Sequence, residues 1–273
     1  MRAAPTLNIV GAGKVGRVLG RLWSESGVFA LQDVLTRSHS SATQAVRFMG
    51  GGSACASLAG MRAADVWMLA VGDDQIGPAC AQLAGRLAPG AVVFHCSGAR
   101  SSAELAPAAQ AGALTASVHP IRSFADPAQV AAHFGGTFCG MEGDAGALAL
   151  LTPAMQAIGA RPVAIDPAAK TVYHAASVFA SNYLVTVLDA ALRAYQAAGI
   201  SEEVARQLAA PLAAETLDNV FRLGAGAALT GPVARGDMAT VARQQTALDL
   251  WDEPTGQLYR ALAAATVTLA GAR

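Results

Sequence analysis

The sequence predicts an α/β chain, an N-terminal doubly wound, largely parallel sheet followed by a C-terminal all-α domain. Three observations carry this. Short apolar runs alternate with segments of helical periodicity from residue 7 to about residue 165. A glycine-rich turn joins the first apolar run to the first helical segment. Beyond Pro167 the strand signals stop and long helical segments take over.

The predicted strands are Leu7–Val10, Ala30–Thr36, Val66–Val71, Ala91–His95, Thr115–Val118, Thr137–Cys139 and Pro162–Ile165, with a short one ending near Ala54. Between them lie predicted helices Val15–Ser26, Ser40–Met49, Ile76–Leu87, Ser101–Ala111 and Ala145–Ile158. The second half predicts helices over Ala168–Ala198, Ser201–Leu223, Val233–Leu250 and onward from Pro254. Ser201 suits an N-cap, with Glu202 and Glu203 favourable in the first turn. Pro211 is expected to kink or split its helix. The boundary is placed at Asp166-Pro167, giving domains 1–166 and 167–273.

The 273 residues suffice for two domains, and 19 basic residues balance 19 acidic ones. Without a basic stripe, no nucleic-acid partner is expected. The segment Met1–Pro5 is too short for a signal peptide. The most apolar helix, around Ala175 to Leu192, is interrupted by Asn182 and Asp189, so no membrane span is expected. The scattered Cys55, Cys80, Cys96 and Cys139 indicate neither zinc nor disulfides, and a reducing cytoplasm fits them. Lysine occurs only as Lys14 and Lys170, against 17 arginines, so each lysine is informative.

The run Gly11-Ala12-Gly13-Lys14-Val15-Gly16 has the form Gly-x-Gly-x-x-Gly between strand and helix. Gly11 permits the tight turn, Gly13 lets the backbone approach a pyrophosphate, and Gly16 allows close helix–strand packing. The helix N-terminus then offers free N–H groups to phosphates. The second strand ends in Thr36-Arg37-Ser38, a guanidinium flanked by hydroxyls, which suits the 2′-phosphate of NADP(H). Asp33 reads as structural within that strand; in the other register it would face the ribose and favour NAD.

Several loops follow strand ends, where ligands bind in open α/β sheets. Val71-Gly72-Asp73 can pack beside a nicotinamide ribose, or Asp73 or Asp74 can cap the next helix. Ser97-Gly98 can anchor a carboxylate or carbonyl oxygen, or serve as a cap. His119 stands before Pro120 as a substrate contact or a buried, bonded histidine. At helical spacing Lys170, His174, Ser177 and Ser181 share a stripe bordered by Asn182. Lys170 and His174, one turn apart, form a candidate proton-donating pair, with a solvated stripe or a dimer seam as the plain alternative. Arg235, in the loop Leu229–Asp237, is a candidate substrate residue or a surface partner of Asp237.

Taken together, GAGKVG, TRS, LAVGDDQI, HCSG, HPIRSF, KTVYHAASVFASNYL and LTGPVARGD resemble the Rossmann-like NADP oxidoreductases that carry a C-terminal helical domain of unknown function. The resemblance runs over nearly the whole chain. Wider relatives are the β-hydroxyacid dehydrogenases, ketopantoate reductases and pyrroline-5-carboxylate reductases, in which the helical domain forms the active-site cleft and often the dimer interface. β-Hydroxyacid dehydrogenases place a Lys and, four residues on, an Asn on the corresponding helix; here Lys170 matches, position 174 is His, and the nearest Asn is Asn182. The resemblance implies an NADPH-dependent oxidoreductase that reduces a small keto or imino compound by hydride transfer in the interdomain cleft. Lys170 and His174 would be catalytic, Ser97, Gly98, His119, Asn182 and Arg235 would bind substrate, and a homodimer is expected. Two other classes stay open, a non-catalytic NADP(H) sensor and an assembly subunit.

Overall fold

The structure, a computed structural model, describes residues 3–271. Contacts divide the chain into two units, one ending at Ser181 and the other beginning at Asn182.

The first unit is built on eight strands, β1 (Thr6–Val10), β2 (Ala30–Leu35), β3 (Ser53–Cys55), β4 (Val66–Leu69), β5 (Val92–His95), β6 (Leu114–Pro120), β7 (Phe138–Gly143) and β8 (Arg161–Ala164). They form one sheet in the order β3-β2-β1-β4-β5-β6-β7-β8. The first six are parallel, in the 3-2-1-4-5-6 order of a Rossmann sheet. Central β4 and β5 are buried along their whole length, which is why they read as unbroken apolar runs. The sheet then reverses, since β7 is antiparallel to β6 and β8 parallel to β7.

Helices α1 (Lys14–Ser26), α2 (His39–Met49), α3 (Asp73–Ala84), α4 (Ala106–Gln110), α5 (Pro127–Ala132) and α6 (Ala145–Ala157) connect the strands. Trp23 of α1 donates its indole N–H to the Ala154 carbonyl of α6 and packs edge-on against Phe29 and Phe94. Residues 127–132, to which the sequence reading assigned no element, form α5 because the Asp126 carboxylate accepts from two backbone N–H groups and Pro127 follows it. Helix α7 (Lys170–Val178) completes this unit, preceded by a 3-10 turn, Pro167–Ala169. The sheet therefore keeps the first helix assigned by sequence to the second domain, and the structural division falls after residue 181 rather than 166.

The second unit holds α8 (Leu184–Ala197), α9 (Glu202–Leu223), α10 (Ala225–Ala228), α11 (Gly231–Ala234), α12 (Met238–Trp251) and α13 (Glu253–Gly271). The Ser201 hydroxyl caps α9 by accepting from the Val204 N–H. Pro211 lies inside α9 without dividing it, contrary to one form of the expectation. The single helix expected over Val233–Leu250 is broken, because Gly236 takes φ +74° and Asp237 recaps the chain at Thr240. Arg193 ties α8 to the start of α13 through Asp252 and Thr255.

The helical run Pro167–Ala197 is long and apolar enough to cross a membrane by length and composition, with mean hydropathy 1.4 in its most apolar window. The interruptions at Asn182 and Asp189 are too few to disqualify it, contrary to the expectation. No residue of that window is buried in the described structure, while the first turn of the run is fixed to the sheet by Lys170.

Candidate active site

In a parallel sheet every loop that follows a strand's carboxyl end lies on one edge. Here the loops after β1, β2 and β4 line a groove of about 890 Å³ on that edge. Its floor is Gly11, Ala12 and Gly13, one end carries Thr36, Arg37 and Ser41, and the other carries Val71, Gly72 and Gln75. The three glycines do different work. Gly11 has φ +83°, and a Cβ there would stand 2.6 Å from the Ala70 carbonyl oxygen. A Cβ on Gly16 would meet the Ala70 Cβ at 2.9 Å, so this glycine brings α1 against the sheet. Gly13 differs, because a Cβ there would meet nothing within 4 Å. The space beside its backbone is open to a ligand, which is the fit a pyrophosphate requires.

Asp33 does not face this groove. It is buried, its carboxylate accepts from the Arg62 backbone and guanidinium, and its own N–H donates to the Asn8 amide oxygen. Hydrogen bonds from Arg62 outweigh burial and hold the carboxyl below its ordinary value. Ser38, expected beside Arg37 as a phosphate ligand, instead caps α2 by accepting from the Ser41 N–H, and Ser41 lines the groove in its place. Lys14 donates to the Ala125 carbonyl rather than lining the groove, and Val15 packs against the core. Arg17 lines the groove and was not foreseen; its guanidinium donates to the Ala12 carbonyl. Asp73 begins α3 without capping it, the cap being Gly72, and Asp74 pairs with Arg100 at 3.7 Å.

A second set of polar groups lies where α7 covers β6 and β7. Ser117 and His119 alternate on one face of β6, about 7 Å apart along the strand. Lys170 and His174 are one helical turn apart, about 5.4 Å. The two spacings nearly match, so Lys170 meets Ser117 while Tyr173 and His174 meet His119. Lys170 is not the open donor its stripe suggested. It is 1% exposed, donates to the Ser117 hydroxyl, and its ammonium lies 3.5 Å from the Glu142 carboxylate. Burial pushes the ammonium below its ordinary value, and the Glu142 charge opposes that shift. The stripe is thus split, with Lys170 buried, His174 and Ser177 half-buried, and Ser181 exposed.

The imidazoles of His119 and His174 meet edge-on, with centroids 5.6 Å apart. His119 Nδ1 shares a 2.8 Å hydrogen bond with the Tyr173 hydroxyl. Gly140, opposite His119 in register, leaves room for that phenol. Gly98 lies against both rings, and a Cβ there would collide with His174 Nδ1 and stand 2.8 Å from His119 Nε2. His174 Nδ1 is buried and finds no hydrogen-bond partner among the described residues. The hydrogen of Gly98 that stands where a Cβ would be points at this nitrogen, a weak C–H contact that suits a bare lone pair and obstructs an N–H. We therefore assign the proton of neutral His174 to Nε2.

Ser97 and Gly98 belong to a tightly turned loop after β5. The Ser97 hydroxyl accepts from the Ala99 and Arg100 N–H groups, so it shapes the loop. His95 accepts from the Ser97 N–H at Nδ1, which leaves Nε2–H to donate to the Ser101 carbonyl. Asn182 and Arg235 are both exposed and belong to the second unit. The sequence reading missed Glu142 and Tyr173. A signal for Glu142 existed, since it is the lone carboxylate in the strand Phe138–Gly143.

Burial, reinforced by the neighbouring His174 and the Lys170 ammonium, holds the His119 imidazole down to about 4. The folded chain then refuses a proton that the unfolded chain accepts below about pH 6.5. Stability from this group is present above pH 6.5 and is lost as pH falls toward 4, by about 3 kcal/mol in all. Urea midpoints at pH 7 and pH 4.5 check this, because the acid-induced loss in His119→Gln should be smaller than in the wild type by about 2 kcal/mol. Equal losses would show that His119 titrates normally.

Two family models match in tandem, a Rossmann-like domain over residues 2–120 and a domain of unknown function, DUF2520, over residues 137–266. The chain carries a Rossmann-like domain followed by a DUF2520 domain. The DUF2520 segment begins beside β7, so Glu142 and the whole of α7 belong to it although they pack in the sheet unit. No curated protein matches the chain. Among solved structures, protein TM1727 of Thermotoga maritima is 27% identical with TM-score 0.73, over 98% of this chain and 99% of its own. BF3122 of Bacteroides fragilis, named as a candidate NADP oxidoreductase, is 19% identical with TM-score 0.80, over 97% and 99%. A reductive aminase from Aspergillus terreus, solved with NADPH and ethyl-5-oxohexanoate, shares the fold at 14% identity and TM-score 0.63, over 98% and 93%.

Proposed function

We propose that this Rossmann–DUF2520 chain is an NADP(H)-dependent oxidoreductase that reduces a small keto or imino compound. The observation that carries the reading is the division of labour among the glycines, with Gly11 and Gly16 required by the fold and Gly13 left open. The A. terreus neighbour, solved with NADPH, supports the choice of cofactor. Gly11 to Gly13 and the first turn of α1 would hold the pyrophosphate, Thr36, Arg37 and Ser41 the 2′-phosphate, and Val71 and Gly72 the nicotinamide end. When bound, the nicotinamide supplies a hydride to the acceptor carbon.

The chain supplies electrostatic stabilisation and the placement. Neutral His174 offers its Nε2–H as a hydrogen bond that strengthens as the acceptor's oxygen or nitrogen gains charge, and the proton that completes the reduction comes from solvent. His119, kept neutral and tethered to Tyr173, fixes the ring beside it. Lys170 acts from beneath, through Ser117 and Glu142, and its burial keeps it from meeting the acceptor directly. Asn182 and Arg235 remain candidate substrate residues of the helical unit. A second copy of the chain is the proposed cover for that unit, whose Leu212, Phe221 and Leu250 are 59%, 86% and 84% exposed. The free cysteines suit a cytoplasmic setting.

Cofactor titration tests the reading directly. The wild type should bind NADPH at least tenfold more tightly than NADH. Arg37→Ala should lose about 10- to 100-fold in NADPH affinity, the worth of a charge-assisted hydrogen bond, with NADH unaffected. Equal loss of both cofactors would remove Arg37 from the 2′-phosphate site, and absence of binding to either would end the oxidoreductase reading.

A further inference from the structure

We propose that Glu142 is a positioning residue, a buried carboxylate that pins the loop carrying Gly98 and the helix carrying His174 to the same point of the sheet. The inference deepens the proposed active site and rests on that reading for its functional meaning only; the geometry stands without it.

Glu142 is 3% exposed and lies opposite Ser117 in the β6–β7 register. Its Oε1 accepts from the Ser102 N–H at 2.8 Å and its Oε2 from the Ser102 hydroxyl at 2.7 Å. The same carboxylate faces the Lys170 ammonium, at 3.5 Å. Lys170 also donates to the Ser117 hydroxyl, which in turn donates to the Ser97 carbonyl at 3.4 Å. The loop from Ser97 to Ser102 is thus gripped at both ends by one polar group, through Ser117 at its start and Glu142 at its close. Gly98 sits between the two grips.

The consequence is geometric. Gly98 reaches the imidazoles with no slack, since even a methyl group would overlap His174 Nδ1. A shift of the loop against α7 by a few tenths of an ångström would free Nδ1 to take a proton or a water. Glu142 holds the two segments from a common origin and sets that contact from beneath, without touching either ring. A surface carboxylate would not serve, because only a desolvated one binds its partners firmly enough to act as a fixed point.

The test reads the imidazoles directly, with neither substrate nor cofactor present. Long-range proton–nitrogen NMR spectra of the full chain report which ring nitrogen of His174 carries the proton. The wild type should show a single tautomer protonated at Nε2. In Glu142→Gln the His174 signals should move to a mixture of tautomers, while NADPH affinity stays within threefold, because the glycine groove makes none of these contacts. Ser102→Pro keeps the ion pair and removes both the N–H and the hydroxyl bond to Glu142; it decides the matter by the same readout if Glu142→Gln does not fold. A folded variant with the wild-type His174 spectrum overturns the proposal, and so does a folded variant that loses NADPH binding along with the tautomer. A wild type that binds no NADPH refutes the oxidoreductase reading and leaves the tautomer comparison to decide the role of Glu142.

Discussion

Gly13→Val is expected to abolish cofactor binding while leaving the fold intact. The reasoning is local. Residue 13 has extended backbone angles, φ −68° and ψ −164°, which valine tolerates. A Cβ at this position has open space around it, so no native contact is disturbed. The branched side chain would instead occupy the space that a pyrophosphate needs in order to reach the N–H groups of α1. Melting temperature should stay within about 2 °C of the wild type, consistent with a surface change of about 0.5 kcal/mol or less. NADPH affinity should fall by more than about 100-fold, or about 2.7 kcal/mol. Gly11→Val provides the contrast, because its positive φ and the nearby Ala70 carbonyl make the substitution damage fold and binding together. Calorimetric titration with NADPH and a thermal melt of the free protein suffice. A Gly13→Val variant that binds NADPH normally would place the cofactor elsewhere or nowhere.

Lys170→Met should destabilise the protein by about 3–5 kcal/mol, the usual cost of removing one partner from a buried ion pair. The side chains of Lys170 and Glu142 are 1% and 2% exposed, so the abandoned carboxylate would have no water to turn to. For a chain of this size that loss lowers the melting temperature on the order of 10 °C. The double variant Lys170→Met with Glu142→Gln should recover most of it, because no buried charge is left uncompensated. If Lys170 were an open proton donor in a cleft, Lys170→Met would reduce turnover and hardly move the melt. An unchanged melting temperature would therefore restore the direct catalytic role and contradict the buried placement.

Much of the sheet was readable from the sequence because its signals are local. Apolar runs bounded by glycine, and the spacing of Gly11, Gly13 and Gly16, report strand, turn and helix without any need for distant contacts. The break at Gly236 and the helix after Asp126 were also local, but they depend on single capping residues that a periodicity argument smooths over. The site was legible in its members and not in their roles. Lys170, His174, Gly98 and His119 all stood out by type and spacing. Whether Lys170 faces a cleft or the interior depends on Glu142, which lies 28 residues away on a reversed strand. Helical periodicity cannot anticipate a partner supplied by another element. The capping role of Ser38 was hidden for a similar reason, since its hydroxyl accepts from the Ser41 N–H at the start of α2, and Ser41 lines the groove.

The sheet's late reversal has a consequence for how such chains can be cut and recombined. A fragment ended at residue 166 would keep every strand yet lose the ammonium that neutralises Glu142. Any exchange of the helical part of this chain must carry α7 across together with β7, or replace both charges at once. The family match and the contact unit have different edges, and the ion pair lies wholly in the stretch they share, residues 137–181.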